Sequence, residues 1–373
     1  MTATTAARLD KTPNRPVSLH AGRLPRRSEL YLLIGSFAAS AAVFGLFALG
    51  GDGFNVVGWL VVGTILYLVT IGVVSLIAED RRQATNRVMR GVVTTAFVLA
   101  LIPLVSLLWT VVAQGITSLT PSFIFGAETS AFDWDTLETT TVAGAGPALV
   151  GTLIITGIAS IISLPIGMLT AVWLTEYASP KSPVRRVITF LVDVMTGIPS
   201  IVAGLFAFAL FSLIVGPKAF SGFSAAIALC VLMIPTVVRS SEEMLKLVPM
   251  ELREAAYALG VTKWRTIVKV VLRTSVAGLV TAAVLAIARV IGETAPIYIA
   301  AGYTSSLNTD PFSGSMSTLA VLSYTGYAFP DQSQPDMSHQ EAWGAALLLI
   351  IMVVVLNLVA RLIAARFAPK AGR

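Results

Sequence analysis

The chain contains long uncharged stretches, such as residues 146–175, GPALVGTLIITGIASIISLPIGMLTAVWLT, which hold no Asp, Glu, Lys or Arg. A run of about 20 apolar residues can cross the hydrocarbon core of a bilayer as a helix. Of the 373 residues, 55% are hydrophobic and only 12% are charged, whereas soluble domains average about 25% charged residues. This composition predicts a membrane protein.

Stretches of the same kind recur on both sides of residues 146–175. The apolar runs are residues 30–51, 53–78, 91–127, 139–175, 194–217, 219–238, 274–300 and 342–360. The seventh is interrupted only by Arg289 and Glu293. We therefore predict an all-α fold, a polytopic bundle of about eight transmembrane helices.

The remaining composition excludes several classes of protein. Residues 1–28 are polar and basic and predict a disordered tail, and the run that follows is longer than the apolar region of a signal peptide. A single cysteine, Cys230, rules out a disulfide framework, and the only histidines, His20 and His339, lie far apart, so no metal site is expected. The net charge of +6 is explained by the positive-inside rule without invoking nucleic acid.

The basic residues predict the orientation in the membrane. If the N-terminus is cytoplasmic, eight spans place residues 1–29, 79–90, 175–188, 239–273 and 361–373 on the cytoplasmic side. These segments hold 24 of the 26 Lys and Arg residues, leaving only Lys218 and Arg289 elsewhere. Since short cytoplasmic loops are enriched in Lys and Arg, we predict that both termini are cytoplasmic. The outer loops, 115–146 and 301–342, are acidic or neutral.

The cytoplasmic loop 239–269 has the pattern of two helices joined by a sharp turn. Pro249 suits a helix start and residues 250–259 are strong helix formers. Gly260 suits a left-handed stop, and Thr262 is a good N-cap for a second, basic amphipathic segment. One interpretation is a solvated loop resting on lipid headgroups. The other is a docking site, where the small Ala255 and Ala256 and the charge of Glu254 contact a partner.

The sequence Glu254-Ala255-Ala256-x3-Gly260 resembles the EAA motif of the permease subunits of type I ABC importers. The resemblance implies a core of six helices and a coupling loop that docks in a cleft of an ATP-binding subunit. The family pattern Ile-x-Leu-Pro aligns with residues 270–273, where Arg273 replaces proline, so the start of the following helix is expected to differ.

The chain contains no phosphate loop of the form G-x-x-x-x-G-K-[ST]. ATP and Mg would therefore be used by a separate ATPase chain. We expect this chain to bind no cofactor and to be a pore-forming subunit rather than an enzyme.

Two charges lie inside a predicted span. A charge at the bilayer centre costs at least about 2.5–3.5 kcal/mol on insertion scales, so such residues are functional candidates. At about 1.5 Å per residue, Arg289 lies past the middle of its span, toward the outer face. Its guanidinium suits a small oxyanion, and Glu293, one turn away, can neutralise it when no anion is bound. The alternative is an ion pair that only orients neighbouring helices.

Glycine and proline flank the two polar positions within the spans. Gly292 and Pro296 surround Glu293 and predict either a kink or a simple helix end. Gly197 and Pro199 predict a kink in the fifth helix. Asp193, just before that kink, is either part of a gate or the partner of Arg185 or Arg186.

The stretches 289–296, 196–204 and 146–152 resemble phosphate-specific permeases of the PstA type. The resemblance covers about residues 90–368, leaving 29–89 as two additional helices. It implies a PstC-type permease partner, a dimer of ATP-binding subunits and an extracytoplasmic phosphate-binding protein, within the lipids of the plasma membrane.

Three other functions stay open. A sulfate or molybdate permease satisfies the same arginine argument. A gradient-driven secondary transporter would be expected to show inverted repeats and intramembrane carboxylates, and it would leave the coupling loop unexplained. A membrane scaffold that transports nothing would leave Arg289 with a pairing role only.

Overall fold

The computed structural model describes residues 24–49, 53–133, 138–216 and 220–367. The predicted tail 1–28 lies outside these residues except for 24–28. By contacts, the chain divides into two compact units, Met1–Leu107 and Leu108–Arg373. The assignment of residues 29–89 to two additional helices and of 90–368 to a permease core stays a prediction.

The described residues are mostly helical. In the first unit the helices are α1 (Arg26–Phe47), α2 (Val56–Ala78) and most of α3 (Arg81–Gly115). In the second unit they are α4 (Pro121–Phe125), α5 (Gly146–Val172), α6 (Pro183–Thr196), α7 (Ser200–Val215), α8 (Gly222–Lys246), α9 (Met250–Ala258), α10 (Lys263–Thr266), α11 (Leu272–Ile291), α12 (Ala295–Ala301), α13 (Leu319–Ala328) and α14 (Pro335–Phe367).

The predicted all-α, polytopic fold is confirmed. Among the described residues, seven helices are long and apolar enough to cross a membrane, or eight if the bent pair α6 and α7 is one span. The two helices of this pair meet at 105°, so the predicted kink in the span 194–217 is a break at residues 197–199. Each span is helical because lipid offers no partners for backbone N–H and C=O groups.

In the first unit, α1 packs on α2 and a polar cluster closes their ends. Glu79, at the end of α2, accepts hydrogen bonds from Arg87 at 2.8 Å, from the hydroxyl of Ser75 at 2.6 Å and from the backbone N–H of Leu24 at 2.6 Å. Arg87 also pairs with Glu29 on α1. The Glu79 side chain is only 2% exposed. Arg87 thus joins the three helices of this unit.

In the second unit, α8 is the central helix. It packs against α5, α6, α7, α11 and α12. Small side chains let the helix backbones approach closely: a Cβ on Gly167 of α5 would lie 2.6 Å from a side-chain carbon of Val237 on α8. The core between α5 and α8 includes the fully buried Ile155, Ala159 and Met233. Membrane helices associate through such small-residue contacts.

A β-hairpin lies between α4 and α5, and the sequence did not predict it. Strand β1 (Ala127–Asp133) pairs antiparallel with β2 (Glu138–Ala145), with Ala127 opposite Ala145 and Thr129 opposite Val142. Glu341 of α14 accepts a hydrogen bond at 3.3 Å from the backbone N–H of Gly144, at the end of the hairpin. The hairpin lies within the predicted outer loop 115–146. The hydrogen bond to Glu341 places its end beside the start of α14.

The Glu79 cluster predicts a specific dependence of stability on Arg87. We expect Arg87→Met to lower the free energy of unfolding of this unit by about 3 kcal/mol, because it leaves a buried carboxylate without its cation. Thermal unfolding of the purified chain in detergent measures the loss. Arg90→Met is the control, since Arg90 is 65% exposed and lies 3.9 Å from Glu29. Equal losses in both variants would contradict a role for the cluster.

The same cluster predicts a dependence of stability on pH. The hydrogen bonds from Arg87 lower the pKa of Glu79 from 4.5 to about 2. Because the folded pKa lies below the ordinary value, the stabilisation is complete above about pH 4.5 and is lost as the pH falls toward 2. Glu79→Gln should remove this part of the pH dependence in the same unfolding assay.

Candidate functional site

Helices α6 and α7 meet at the predicted kink. Gly197 ends α6 and Pro199 precedes the first residue of α7. Proline cannot donate a backbone hydrogen bond, and it disfavours helical geometry in the residue before it. The sequence Gly-Ile-Pro therefore ends one helix and starts another in a new direction. The predicted kink is present as a full break of the helix.

Asp193, near the end of α6, pairs with Arg239 of α8. The predicted partners, Arg185 and Arg186, are wrong: they lie about two turns earlier on the same helix, and Arg185 donates to the backbone oxygen of Ala178 at 3.4 Å. The pairing joins α6 to α8. A partner on another helix cannot be read from the spacing of charges along one helix.

Arg239 belongs to a chain of charges along the end of α8. Its other nitrogen donates to Glu242 at 3.0 Å, and Lys246 contacts the second oxygen of Glu242 at 2.8 Å. The Glu242 side chain is 7% exposed. Residues three and four apart share a face of a helix, so these charges form one line. Arg239 is therefore already held by two carboxylates.

Arg289, by contrast, forms no ion pair among the residues that the structure describes. Its Nη1 donates to the hydroxyl of Thr236 on α8 at 3.4 Å, and the side chain is exposed in the single chain. Thr236 lies about 21 Å from Gly222 and about 15 Å from Lys246 along α8, at 1.5 Å per residue. The guanidinium thus contacts the middle of α8.

The position of Arg289 refines the expectation that it lies toward the outer face. Helical side chains point back toward the N-terminus of their own helix, and α11 begins beside the basic loop. The guanidinium therefore lies nearer to the start of α11 than the backbone of Arg289 does, and so farther from the predicted outer face. A backbone position alone does not give the depth of a long side chain.

Glu293 does not neutralise Arg289. Helix α11 ends at Ile291 with Gly292 as its cap, and the backbone N–H of Glu293 donates to Val290 at 3.2 Å. Since the helix stops before Glu293, the i, i+4 relation that predicted the pair does not hold. Glu293 is half-buried beside the break.

Pro296 lies in the first turn of the short helix α12 rather than inside a longer helix. It is buried against α7, where a Cβ on Gly204 would come within 2.7 Å of the Cα of Pro296. The glycine allows this close approach of two backbones. Gly292, in contrast, has free space around it and an ordinary φ of −85°.

The predicted docking loop forms the helix–turn–helix that the sequence indicates. Helix α9 carries Glu254 and Ala255 on its exposed side, whereas Arg253 and Ala256 are buried against the rest of the chain. The expectation that Ala256 leaves room for a partner is therefore wrong. Since residues three apart share a helix face, Ala256 follows Arg253 inward.

Gly260 has φ of +74°, as predicted for a left-handed stop. Its backbone N–H donates to Tyr257 at 2.9 Å, and the N–H of Val261 donates to Ala256 at 3.1 Å. These two bonds are those of a Schellman motif, which closes the last turn of a helix. Thr262 occupies the N-cap position of α10, but its side chain forms no capping hydrogen bond.

Arg273 does not interrupt the helix that follows. Residues 263–291 form one continuous helix, in which the segment Ile267–Val271 is a π turn between α10 and α11. Arginine, unlike proline, keeps its backbone N–H and continues the ladder of hydrogen bonds. The helix accordingly begins in the loop, eleven residues before the predicted start of the span at residue 274.

Several charged residues of this region escaped the sequence reasoning. Arg239 and Glu242 lie at the end of α8. Arg239 directly follows the apolar run 219–238, and this position could have indicated a charged residue at the end of a membrane helix. Arg253 pairs with Glu176 at 2.8 Å, across 77 positions of sequence. No local pattern predicts that pair. No group of His, Cys, Asp and Glu side chains able to hold a metal ion occurs within the described ranges.

The chain is similar to known membrane transport proteins. A family model described as "Binding-protein-dependent transport system inner membrane component" matches residues 163–373. The Phosphate transport system permease protein PstA 1 of Mycobacterium tuberculosis is 46% identical over 283 residues, which cover 76% of this chain and 88% of that protein. This chain belongs to the PstA permease family. The PstA protein of Mycobacterium leprae is 44% identical over 284 residues, covering 74% of this permease and 88% of the relative.

A solved structure extends the comparison of folds. A chain from a bacterial alginate ABC transporter, in complex with an alginate-bound periplasmic protein, superposes with a TM-score of 0.54 at 14% sequence identity. The superposition covers 78% of this permease and 97% of that chain. At this identity the likeness shows a common fold.

The contact between α7 and α12 predicts a steric effect at Gly204. We expect Gly204→Ala to lower the free energy of unfolding by about 1–3 kcal/mol, because its methyl group would overlap the backbone of Pro296. Thermal unfolding of the purified permease in detergent measures the change. Gly292→Ala adds the same methyl group in open space and should leave the unfolding temperature unchanged. An unchanged unfolding temperature in Gly204→Ala would show that α7 and α12 are not in close contact.

Proposed function

We propose that this chain is the pore-forming permease subunit of an ATP-driven importer that moves inorganic phosphate across the plasma membrane. Its partners would be a PstC-type permease, two ATP-binding subunits that use ATP and Mg, and an extracytoplasmic phosphate-binding protein. Both termini would be cytoplasmic. The chain itself would catalyse no covalent step and bind no cofactor.

The observation that carries the proposal is the guanidinium of Arg289, which contacts the middle of α8 and has no carboxylate partner among the described residues. A charge in the membrane is retained when it faces protein, water or a ligand, because its cost in lipid is at least about 2.5–3.5 kcal/mol. A guanidinium presents a planar fork that matches the oxygens of a small oxyanion. Within the part of the chain that the structure describes, its hydrogen bond is to one hydroxyl group, which leaves further N–H donors for an anion. Membership of the PstA family makes phosphate the preferred anion.

A line of polar groups continues from Arg289 along α8. Thr236 and Arg239 are three residues apart and share a face of α8, and Glu242 and Lys246 extend the line to its end. Arg239, paired with Asp193, ties α8 to the break between α6 and α7. We assign Arg289 and Glu293 to the anion path. The Asp193–Arg239 pair and the breaks at Gly197, Pro199, Gly292 and Pro296 are assigned to its gate.

The helix–turn–helix of α9 and α10 is the proposed contact with the ATP-binding subunits. Glu254 and Ala255 are exposed there, and so are the large apolar Leu259 and Trp264, at 83% and 64% of their surface. Ala256 is buried beneath this surface, and Gly260 forms the turn that ends α9. Contiguous apolar groups on a surface rimmed by charges are typical of an interaction site.

Sulfate or molybdate is the second candidate substrate, since the arginine argument applies to any small oxyanion. A gradient-driven transporter leaves the exposed loop surface unexplained. A scaffold leaves Arg289 with a pairing role only, and Arg289 forms no ion pair among the described residues. Uptake of labelled phosphate, sulfate and molybdate by proteoliposomes that contain the whole complex distinguishes the anions. Import of sulfate or molybdate in preference to phosphate would overturn the assignment of phosphate.

Removal of the Arg289 guanidinium should slow transport strongly without preventing assembly. We expect Arg289→Ala to reduce phosphate uptake by roughly 10- to 150-fold, because a hydrogen bond to a charged group contributes about 1.5–3 kcal/mol. Labelled phosphate uptake by proteoliposomes measures the loss. Thr236→Val is the companion variant, which keeps the charge and removes only its hydroxyl contact. Normal uptake by Arg289→Ala would refute the role of Arg289.

A β-branched residue at Gly260 should uncouple the two activities of the complex. Valine disfavours the left-handed conformation, whereas asparagine tolerates it. We expect phosphate uptake by Gly260→Val to be at least about tenfold lower than uptake by Gly260→Asn, a difference equal to about 1.4 kcal/mol. Uptake and ATP hydrolysis are measured on the same vesicles. Equal uptake by the two variants would show that the turn is not required.

A further inference from the structure

The side chain of Arg253 joins the docking helix α9 to the ends of two membrane helices. Its Nη2 donates to Glu176 at 2.8 Å and to the backbone oxygen of Leu245 at 3.1 Å, and its Nη1 donates to the backbone oxygen of Val248 at 2.5 Å. Glu176 follows α5, whereas Leu245 and Val248 lie at the end of α8. One side chain therefore connects α9 with both α5 and α8.

Half of this arrangement has an ordinary structural explanation. The last carbonyls of α8 have no partners within the helix, and a cation at a helix C-terminus satisfies them. The contact with Glu176 needs a different explanation. The side chains of Arg253 and Glu176 are only 10% and 6% exposed. Burial of two charges is costly, and an apolar pair of similar size stabilises a protein as well or better. The ion pair instead fixes the orientation of α9 relative to the π turn that follows α5.

Glu176 belongs to a π turn, Trp173–Tyr177, which continues from α5. A π turn contains an additional residue and so rotates the side chains that follow it, and such turns are frequent at functional sites. Tyr177, the next residue, lies under Lys263 of α10, whose Nζ is 5.0 Å from the ring centroid. The two arms of the helix–turn–helix thus contact two consecutive residues that follow α5, α9 through Glu176 and α10 through Tyr177.

The contact region is supported by a separate apolar cluster. Ala171 of α5, Leu245 of α8 and Val271 of the second π turn are fully buried together, next to Val248. The cluster joins α5, the end of α8 and the second π turn, and α9 packs on that π turn. Close-packed interiors transmit displacements because they are hardly compressible.

We propose that Glu176 and Arg253 are a positioning pair that transmits movement of the docked ATP-binding subunits to α5 and α8. The inference rests on the proposed function, since it needs a motor at α9. Through α8 the movement reaches Thr236 and Arg239, which contact Arg289 and Asp193. The pair contacts neither the anion nor ATP, so it acts on the ratio of transport to hydrolysis.

The test is the amount of anion imported per ATP hydrolysed by the reconstituted complex. For Arg253→Met and for Glu176→Gln we expect this ratio to fall roughly 5- to 150-fold, the range of typical coupling between two sites. ATP hydrolysis and co-purification of the ATP-binding subunits should persist. Arg253→Lys keeps a charge for Glu176 but lacks the planar fork, so it should give an intermediate ratio. Arg186→Met is the control. Arg186 is exposed and belongs to the predicted cytoplasmic segment 175–188, so its replacement should leave the ratio unchanged.

The double variant Glu176→Met with Arg253→Met separates coupling from folding. It leaves no unpaired buried charge, so the thermal stability lost in the single variants should return. If the pair transmits movement, the transport ratio stays low in this stable variant. Recovery of the wild-type ratio together with stability would overturn the proposal.

The ratio of anion imported to ATP hydrolysed tests the role of the pair independently of which anion is transported. The ratio is determined with whichever of phosphate, sulfate and molybdate the wild-type complex imports. Failure of the wild-type complex to import phosphate overturns only the assignment of phosphate. A ratio unaffected by Arg253→Met or Glu176→Gln overturns only the role of the pair.

Discussion

The close packing of α8 against α5 is the contact on which the second unit depends. Within a bilayer, apolar side chains gain little by leaving lipid for protein, so helices associate where small residues let their backbones approach. Gly167 meets Val237 in this way, and Ala159 accepts a weak hydrogen bond from Cys230 at 3.7 Å. Because α6, α7, α11 and α12 also pack on α8, the position of this helix sets the position of the others.

The charges of the unit follow from that packing. Arg239 and Glu242 lie where α8 leaves the apolar core, and each finds a partner on α6 or along α8. Arg253 closes the end of the same helix and binds Glu176. Arg289 is the exception among the described cations at membrane depth, since its contact is a hydroxyl group. Arg239, Glu242 and Arg253 are held in ion pairs, whereas the exposed Arg289 keeps donors available, which gives it its significance for an anion.

The sequence predicted the elements of this protein better than their contacts. Apolar runs predicted the helices, and the helix formers before Gly260 predicted α9 and its left-handed stop. Both depend on local chemistry, which a short window of sequence contains. The pairs Asp193–Arg239 and Glu176–Arg253 are separated by 46 and 77 positions. The spacing of charges along one helix suggested Arg185 or Arg186 for Asp193, and Glu293 for Arg289, and both suggestions failed.

By itself the sequence determined that the chain crosses the membrane as helices and where the loop with the left-handed turn lies. These features follow from the cost of unpaired backbone groups in lipid and from the steric limits on φ. Its Gly-Ile-Pro also determined that the helix 194–217 would bend. Only the tertiary structure decided that the bend is 105°, that α11 stops before Glu293, and that Ala256 faces inward. Each of these depends on which helix packs against which, and that choice is made by the shapes of surfaces far apart in sequence.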